Sequence, residues 1–194
     1  MRHRLVVLHG WGANADDLRP LGESLSKLHS TTLDVIALDA PHPHPDTSGR
    51  QWYGLFPARW EDVPKAVADL KNRLLGLNGG EEALQSTVLF GFSQGGAMAL
   101  HCGCELPLAG VISCSGYPHP AWQPNQDHPD VLVLHGKHDE IVPIEAIDAI
   151  WNQLNKDRRE RMVFDDGHTI PQSAIPMISK ALDRMLNSSR SCQV

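Results

Sequence analysis

The chain of 194 residues is 41% hydrophobic and 21% charged, which is typical of a folded globular protein and excludes a disordered one. Its net charge of −6 provides no electrostatic footprint for nucleic acid, so we expect no nucleic-acid partner. Because no apolar run reaches the roughly 18 residues that span a bilayer, we expect no stable membrane insertion and a cytoplasmic location.

Short apolar runs alternate with segments of helical spacing along the whole chain. The predicted strands are Leu5–Leu8, Val35–Leu38, Val88–Phe90, Gly110–Cys114, Val131–Leu134 and Arg161–Phe164. The predicted helices are Asp16–Leu28, Val63–Leu75, Gln94–Glu105, Ile144–Leu154 and Ser173–Leu186. Strands that are apolar on both faces are typical of a parallel sheet covered by helices. The pattern predicts an α/β fold with a mostly parallel sheet of about six strands and helices on both faces.

Two long segments, Ala40–Arg59 and Tyr117–Asp130, lack such patterning and are rich in proline and aromatic residues. Loops of this length are often lids or binding loops, although the sequence does not decide whether the first one is a lid. In the absence of a linker or an internal repeat, residues 1–194 are predicted to form a single domain.

The four cysteines are spaced unlike the ligands of a zinc site. Cys102, Cys104 and Cys114 lie in apolar segments, and we expect them to be small buried side chains. Cys192 lies in the C-terminal tail.

The segment Thr87–Leu100 is the most informative part of the sequence. An apolar strand leads directly into a helix of small residues, with Ser93 at the junction and with Gly91 and Gly95 two positions before and after it. This is the pattern of a nucleophile elbow, a turn so sharp that only small residues fit at those two positions. We therefore predict that Ser93 is a catalytic nucleophile at the N-terminus of a helix.

A serine hydroxyl needs a base to activate it and a carboxylate to orient that base. In a fold of this kind the acid and then the base follow the serine along the chain. Asp139, after the strand Val131–Leu134, is the predicted acid, and Glu140 is the alternative. His168, after the last predicted strand, is the predicted base.

The remaining polar residues near these loops are less suitable. Asp165 and Asp166 are too close to His168 in sequence to orient it, and His135 lies at a strand end. The spacing of His135, His138 and Asp139 invites a zinc interpretation, but no helix aligns them and no third ligand is nearby. We expect no metal and no cofactor.

Two backbone amides are predicted to stabilise the oxyanion that forms when a serine attacks a carbonyl. The first belongs to Gln94, the residue after the nucleophile. The second belongs to Trp11, in the segment Leu8–Asn14, whose glycines allow the backbone to turn close to the serine.

Taken together, these segments resemble the phospholipase/carboxylesterase family, which includes acyl-protein thioesterases and small bacterial carboxylesterases. The resemblance covers nearly the whole chain, and the segments that carry it are Leu8–Gly12, Gly91–Gly96, His135–Pro143 and Gly167–His168. It implies a minimal version of the α/β-hydrolase fold, in which the chain begins almost directly at the oxyanion strand. It also implies the same triad and the same two oxyanion amides.

The sequence departs from the family pattern in the first long loop. Gly54 follows Trp52 and Tyr53 where the family often has aspartate, and the loop Pro41–Arg50 is short. In the thioesterases a longer loop there helps to cover an acyl channel, so the acyl chain length is left open here.

The predicted activity is hydrolysis of a small-molecule ester or thioester through an acyl-Ser93 intermediate. The predicted acyl pocket is lined by Trp11, Trp52, Tyr53, Leu55, Phe56 and Ile141. Alternatives are a peptidase or a lipase on the same fold, or a binding protein that keeps the fold without catalysis. The natural substrate and the oligomeric state do not follow from the sequence.

Overall fold

The computed structural model describes residues 2–188. The strands, in chain order, are β1 (His3–Leu8), β2 (Leu33–Leu38), β3 (His42–Pro43), β4 (Arg50–Gln51), β5 (Thr87–Phe92), β6 (Gly110–Cys114), β7 (Asp130–Gly136) and β8 (Arg159–Phe164). The helices are α1 (Ala15–Leu28), α2 (Val63–Leu75), α3 (Gly80–Leu84), α4 (Gln94–Gly103), α5 (Glu145–Trp151) and α6 (Ile175–Ser188). Short 3-10 helices at Trp60–Asp62 and Gln172–Ala174 precede α2 and α6.

Six strands form one sheet in the order β2-β1-β5-β6-β7-β8, and each neighbouring pair is parallel. This confirms the predicted α/β fold with a parallel six-stranded sheet. Since parallel strands share one carboxyl edge, the loops after β1, β5, β7 and β8 all leave the sheet on the same side. All the predicted catalytic residues follow these four strands.

Helices cover both faces of the sheet, as predicted. On one face α2, α4 and α5 bury a core that includes Leu70, Met98 and Ile147. On the other face α1 and α6 bury a core that includes Leu25 and Leu182.

Some short elements were not predicted. The pair β3–β4 is a small antiparallel ribbon within the first irregular segment, and α3 has only five residues. Elements this short have too few residues to show a hydrophobic period.

The first three cysteines have the predicted environment. Cys102, Cys104 and Cys114 are buried and free, and burial raises the pKa of each thiol to about 12. Cys192 lies outside the described residues. Among residues 2–188, no helix is long and apolar enough to cross a membrane.

The packing of α6 on the sheet gives a stability prediction. Leu182 is 1% exposed, so Leu182→Ala should lower the free energy of unfolding by about 3 kcal/mol, because it removes buried methyl groups and leaves a cavity. Denaturant unfolding followed by circular dichroism measures the change. Lys180→Ala, at an exposed position of the same helix, should have little effect; equal losses in the two variants would contradict the packing described.

Candidate active site

Ser93 lies at a sharp turn between β5 and α4. Its backbone has φ 54° and ψ −119°, a conformation that L-residues rarely adopt. A Cβ on Gly91 would lie 2.0 Å from the Gly95 carbonyl oxygen, and a Cβ on Gly95 would lie 2.3 Å from the Leu8 carbonyl oxygen. Both clashes are with backbone atoms, so both positions require glycine, in agreement with the elbow pattern of the sequence.

Three predicted residues form one hydrogen-bonded chain. The Ser93 Oγ atom lies 2.9 Å from His168 Nε2, and His168 Nδ1 lies 2.7 Å from Asp139 Oδ2. Ser93 follows β5, Asp139 follows β7, and His168 follows β8. The distances allow the imidazole to accept the serine proton at one nitrogen while it donates to the carboxylate at the other.

The Asp139 carboxylate is fully buried and well hydrogen-bonded. Its Oδ1 atom accepts from the Val142 amide at 2.8 Å and from the Ile141 amide at 3.0 Å. Burial alone would raise the pKa of this group, but the hydrogen bonds from Val142, His168 and Ile141 outweigh burial and lower it. The carboxylate is therefore ionised at neutral pH and opposite the imidazole.

The alternative residues are engaged elsewhere or exposed. Glu140 is exposed. His138 pairs with Asp165 at 2.8 Å on the surface, and His135 Nε2 donates to the Val142 carbonyl oxygen at 2.9 Å. Within the described part of the chain, no cluster of three or more His, Cys, Asp or Glu residues has the geometry to hold a metal ion.

The loop after β1 brings the backbone next to Ser93. A Cβ on Gly10 would lie 3.2 Å from the Ser93 Cβ atom, so glycine allows a close approach here. The amides of Gly12 and Ala13 are bonded to Arg50 and Gly10 carbonyl oxygens. Among residues 2–188, the Trp11 and Gln94 amides have no protein acceptor, as expected for groups that donate to an oxyanion.

The side chain of Gln94 has a function that the sequence analysis did not predict. Its Oε1 atom accepts from the Trp52 amide at 3.0 Å, and its Nε2 atom donates to the Tyr53 carbonyl oxygen at 2.8 Å. The fully buried amide thus ties the first irregular segment to the start of α4. A glutamine at an otherwise small and apolar helix start was the available signal.

A cavity of about 570 Å³ opens at Ser93 and His168. We call it the acyl groove. It is lined by Trp11, Leu55, Phe56, Trp60, Ser93, Tyr117, Ile141, Val142, Pro143, Glu145, Ala146, Ala149 and His168. Phe56 and Ile141 are 71% and 66% exposed, which places two apolar side chains at its rim.

Two of the predicted pocket residues do not line the groove. Trp52 and Tyr53 are each only 1% exposed. The Trp52 indole donates to the His9 carbonyl oxygen at 2.9 Å, and the Tyr53 hydroxyl lies 2.7 Å from the Tyr117 hydroxyl and 2.8 Å from His119 Nε2. The prediction was wrong because buried aromatic residues of a loop and pocket-lining ones look alike in sequence.

Trp60 and Tyr117 line the groove but were not predicted to do so. Both lie in or beside the irregular segments, and Tyr117 begins the second one. The hydroxyl of the buried Tyr53 forms a hydrogen bond with the Tyr117 hydroxyl. The only sequence signal for them was their aromatic character within or next to an irregular segment.

Residues 1–186 match the sequence profile described as Phospholipase/Carboxylesterase. The chain belongs to this family. The fold is similar to that of esterase PE8, with 26% identity and a TM-score of 0.79 over 95% of this chain and 93% of that one. Family and neighbour together indicate a hydrolase of the esterase or thioesterase type.

Two further solved structures share the fold. Zea mays acyl-protein thioesterase 2 is 20% identical, with a TM-score of 0.74 over 95% of this chain and 94% of that one. The Bacillus cereus carboxylesterase is 17% identical, with a TM-score of 0.75 over 95% of this chain and 89% of that one.

Gly54, where the family often has aspartate, lies against the side chain of Arg59. A Cβ there would lie 3.1 Å from Arg59 Cδ and 3.3 Å from Arg59 Cγ. The guanidinium pairs with Asp62 at 3.0 Å and Glu61 at 3.5 Å. The Arg59 side chain would therefore have to shift to admit an aspartate side chain at position 54.

The lowered pKa of Asp139 gives a pH prediction. The ordinary pKa of this carboxyl, which applies in the unfolded chain, is 3.8. Because the folded pKa is lower, the folded chain holds fewer protons at this group than the unfolded chain. Its contribution to stability is therefore complete above the unfolded pKa and is lost as the pH falls through the folded pKa. The free energy of unfolding of the unmodified chain should fall between about pH 5 and about pH 2. In Asp139→Asn this fall should be shallower, and urea unfolding at each pH measures it.

The matched control is Asp157→Asn, at an exposed position where the pH dependence should stay that of the unmodified chain. An identical acid profile in Asp139→Asn and the unmodified chain would contradict the electrostatic account of Asp139.

Proposed function

We propose that this protein is a serine carboxylic-ester hydrolase that works through an acyl-Ser93 intermediate. The observation that carries the proposal is the hydrogen-bonded chain from Ser93 through His168 to Asp139. Ser93 lies at the N-terminus of α4, beside two backbone amides without protein acceptors in the described part of the chain. This is the arrangement that acyl transfer needs.

In the first half-reaction His168 Nε2 takes the Ser93 proton as the hydroxyl oxygen attacks the substrate carbonyl carbon. The carbonyl oxygen becomes an oxyanion that accepts from the Trp11 and Gln94 amides. Asp139 stabilises the imidazolium through Nδ1. His168 then gives its proton to the leaving oxygen or sulfur, the bond to the leaving group breaks, and the acyl group stays on Ser93.

In the second half-reaction water takes the place of the leaving group. His168 removes a proton from water, which attacks the acyl-Ser93 carbonyl carbon. The imidazolium returns that proton to Ser93 Oγ as the carboxylic acid leaves. At the end of the cycle, Ser93 and His168 carry the same protons as at the start.

The acyl groove is proposed to hold the acyl part of the substrate. Its walls are mostly aromatic and aliphatic, and both Ser93 and Trp11 line it. We assign substrate contact to Trp11, Leu55, Phe56 and Ile141 among the residues expected from sequence. The partner is thus a small-molecule ester, and a cytoplasmic location remains a prediction.

A thioester is the second candidate substrate. The same residues catalyse thioester hydrolysis, since a thiolate is an easier leaving group than an alkoxide. The similarity in fold to a protein named as an acyl-protein thioesterase favours including it.

Removal of the Ser93 hydroxyl tests the proposal. Ser93→Ala should lower kcat for p-nitrophenyl butyrate by roughly 10⁴-fold or more, because no acyl-enzyme can form. Ser30→Ala, at an exposed position, is the matched control and should keep full turnover. Near-normal turnover by folded Ser93→Ala protein would overturn the assignment.

The acyl groove gives a separate prediction. Ala149 is exposed and lines the groove from α5, so Ala149→Phe should narrow it. The ratio of kcat/KM for p-nitrophenyl octanoate to that for the acetate should fall about tenfold. Lys156→Phe, exposed and outside the groove, should leave the ratio unchanged; the same ratio in both variants would show that the acyl chain binds elsewhere.

A further inference from the structure

A second cavity, of about 480 Å³, reaches the site at His168. It runs between α1 and the segment from His168 to the start of α6. It is lined by Gly10, Ala13, Asp17, Leu18, Pro20, Leu21, Ser24, Phe92, His168, Thr169, Ile170, Gln172 and Ile175. His168 is the one residue that lines both this cavity and the acyl groove.

The cavity begins where the reaction takes place. Gly10 lines the cavity and lies so near Ser93 that a Cβ on it would be 3.2 Å from the Ser93 Cβ atom. The Phe92 ring centroid is 4.9 Å from that of His168. From there the lining follows α1 from Asp17 to Ser24, about two turns of helix or roughly 10 Å.

We propose that this cavity, which we call the leaving-group cavity, binds the alcohol or thiol part of the substrate and selects neutral or cationic leaving groups over anionic ones. The inference rests on the proposed function. It adds to it the class of leaving group and the residues that recognise it.

The stereochemistry of the tetrahedral intermediate supports this direction. The reacting carbon carries four groups: Ser93 Oγ, the oxyanion, the acyl chain and the leaving group. The first is covalently fixed, the oxyanion faces the Trp11 and Gln94 amides, and the acyl chain occupies the acyl groove. The leaving oxygen must accept the proton of His168 Nε2 as its bond to carbon breaks, so the group it carries extends past His168.

The charge of the lining determines what fits. Asp17 is exposed and is the one carboxylate among the lining residues, which include no lysine or arginine. Its Oδ2 atom accepts from the Asn14 amide at 2.8 Å, which fixes the carboxylate at the cavity. The net charge of −6 acts in the same direction. Apolar side chains such as Leu21 and Ile170 make the rest of the wall suitable for an alkyl chain.

The charge preference is tested with two butyrate esters of similar shape, butyrylcholine and 3,3-dimethylbutyl butyrate, with acid release followed by pH-stat. Asp17→Asn keeps an oxygen acceptor for the Asn14 amide and removes the charge. It should lower the kcat/KM ratio of the cationic to the neutral ester about threefold. Asp16→Asn changes the same charge on the adjacent, exposed residue outside the lining and should leave the ratio unchanged.

The path of the leaving group is tested with n-octyl butyrate and ethyl butyrate. Ser24→Trp places a ring in the outer part of the leaving-group cavity and should lower the kcat/KM ratio of octyl to ethyl ester about tenfold, through KM. Glu23→Trp adds the same ring at a neighbouring exposed position outside the lining and should keep the ratio.

The outcomes separate the two proposals. If the unmodified chain hydrolyses none of these four butyrate esters, the proposed function fails, and this inference fails with it. If the esters are hydrolysed but Asp17→Asn and Ser24→Trp give the same kcat/KM ratios as their control variants, the esterase proposal stands. The proposal that this cavity binds the leaving group is then overturned.

Discussion

Close backbone packing around Ser93 is the constraint on which the rest of the site depends. The serine is held at φ 54°, a conformation that costs about 1–3 kcal/mol and persists only where the surroundings fix it. Its amide donates to the Cys114 carbonyl oxygen of β6 at 2.9 Å, and Gly95 packs against the carbonyl oxygen of Leu8 in β1. Three adjacent strands therefore set the position of one hydroxyl group.

The acid and the base depend on a second close contact, between the loops after β7 and β8. A Cβ on Gly136 would lie 2.2 Å from the Gly167 carbonyl oxygen, and the amide of His138 donates to the Asp166 carbonyl oxygen at 3.0 Å. Because the two loops pack backbone against backbone, the distance between Asp139 and His168 follows from the sheet.

The sequence was most informative where local pattern and global fold agree. The six sheet strands are short apolar runs and the five main helices have helical spacing, so these elements were predictable. The elbow was predictable because it needs glycine at two fixed positions. The acyl groove was only partly predictable. Whether Trp52 is buried and Trp60 lines the groove depends on how the loop folds over α4, and on contacts such as that of Gln94 with the Trp52 amide, which join residues 42 positions apart. No local pattern reports such contacts.

The central claim is that Ser93 is the nucleophile, and covalent labelling tests it most directly. A fluorophosphonate probe reacts with an activated serine and leaves a mass that peptide mapping can locate. We predict stoichiometric labelling of the folded protein, with the added mass on the peptide that contains Gly91–Gly95. Folded protein that stays unlabelled, or that carries the label on a different serine, would contradict the account.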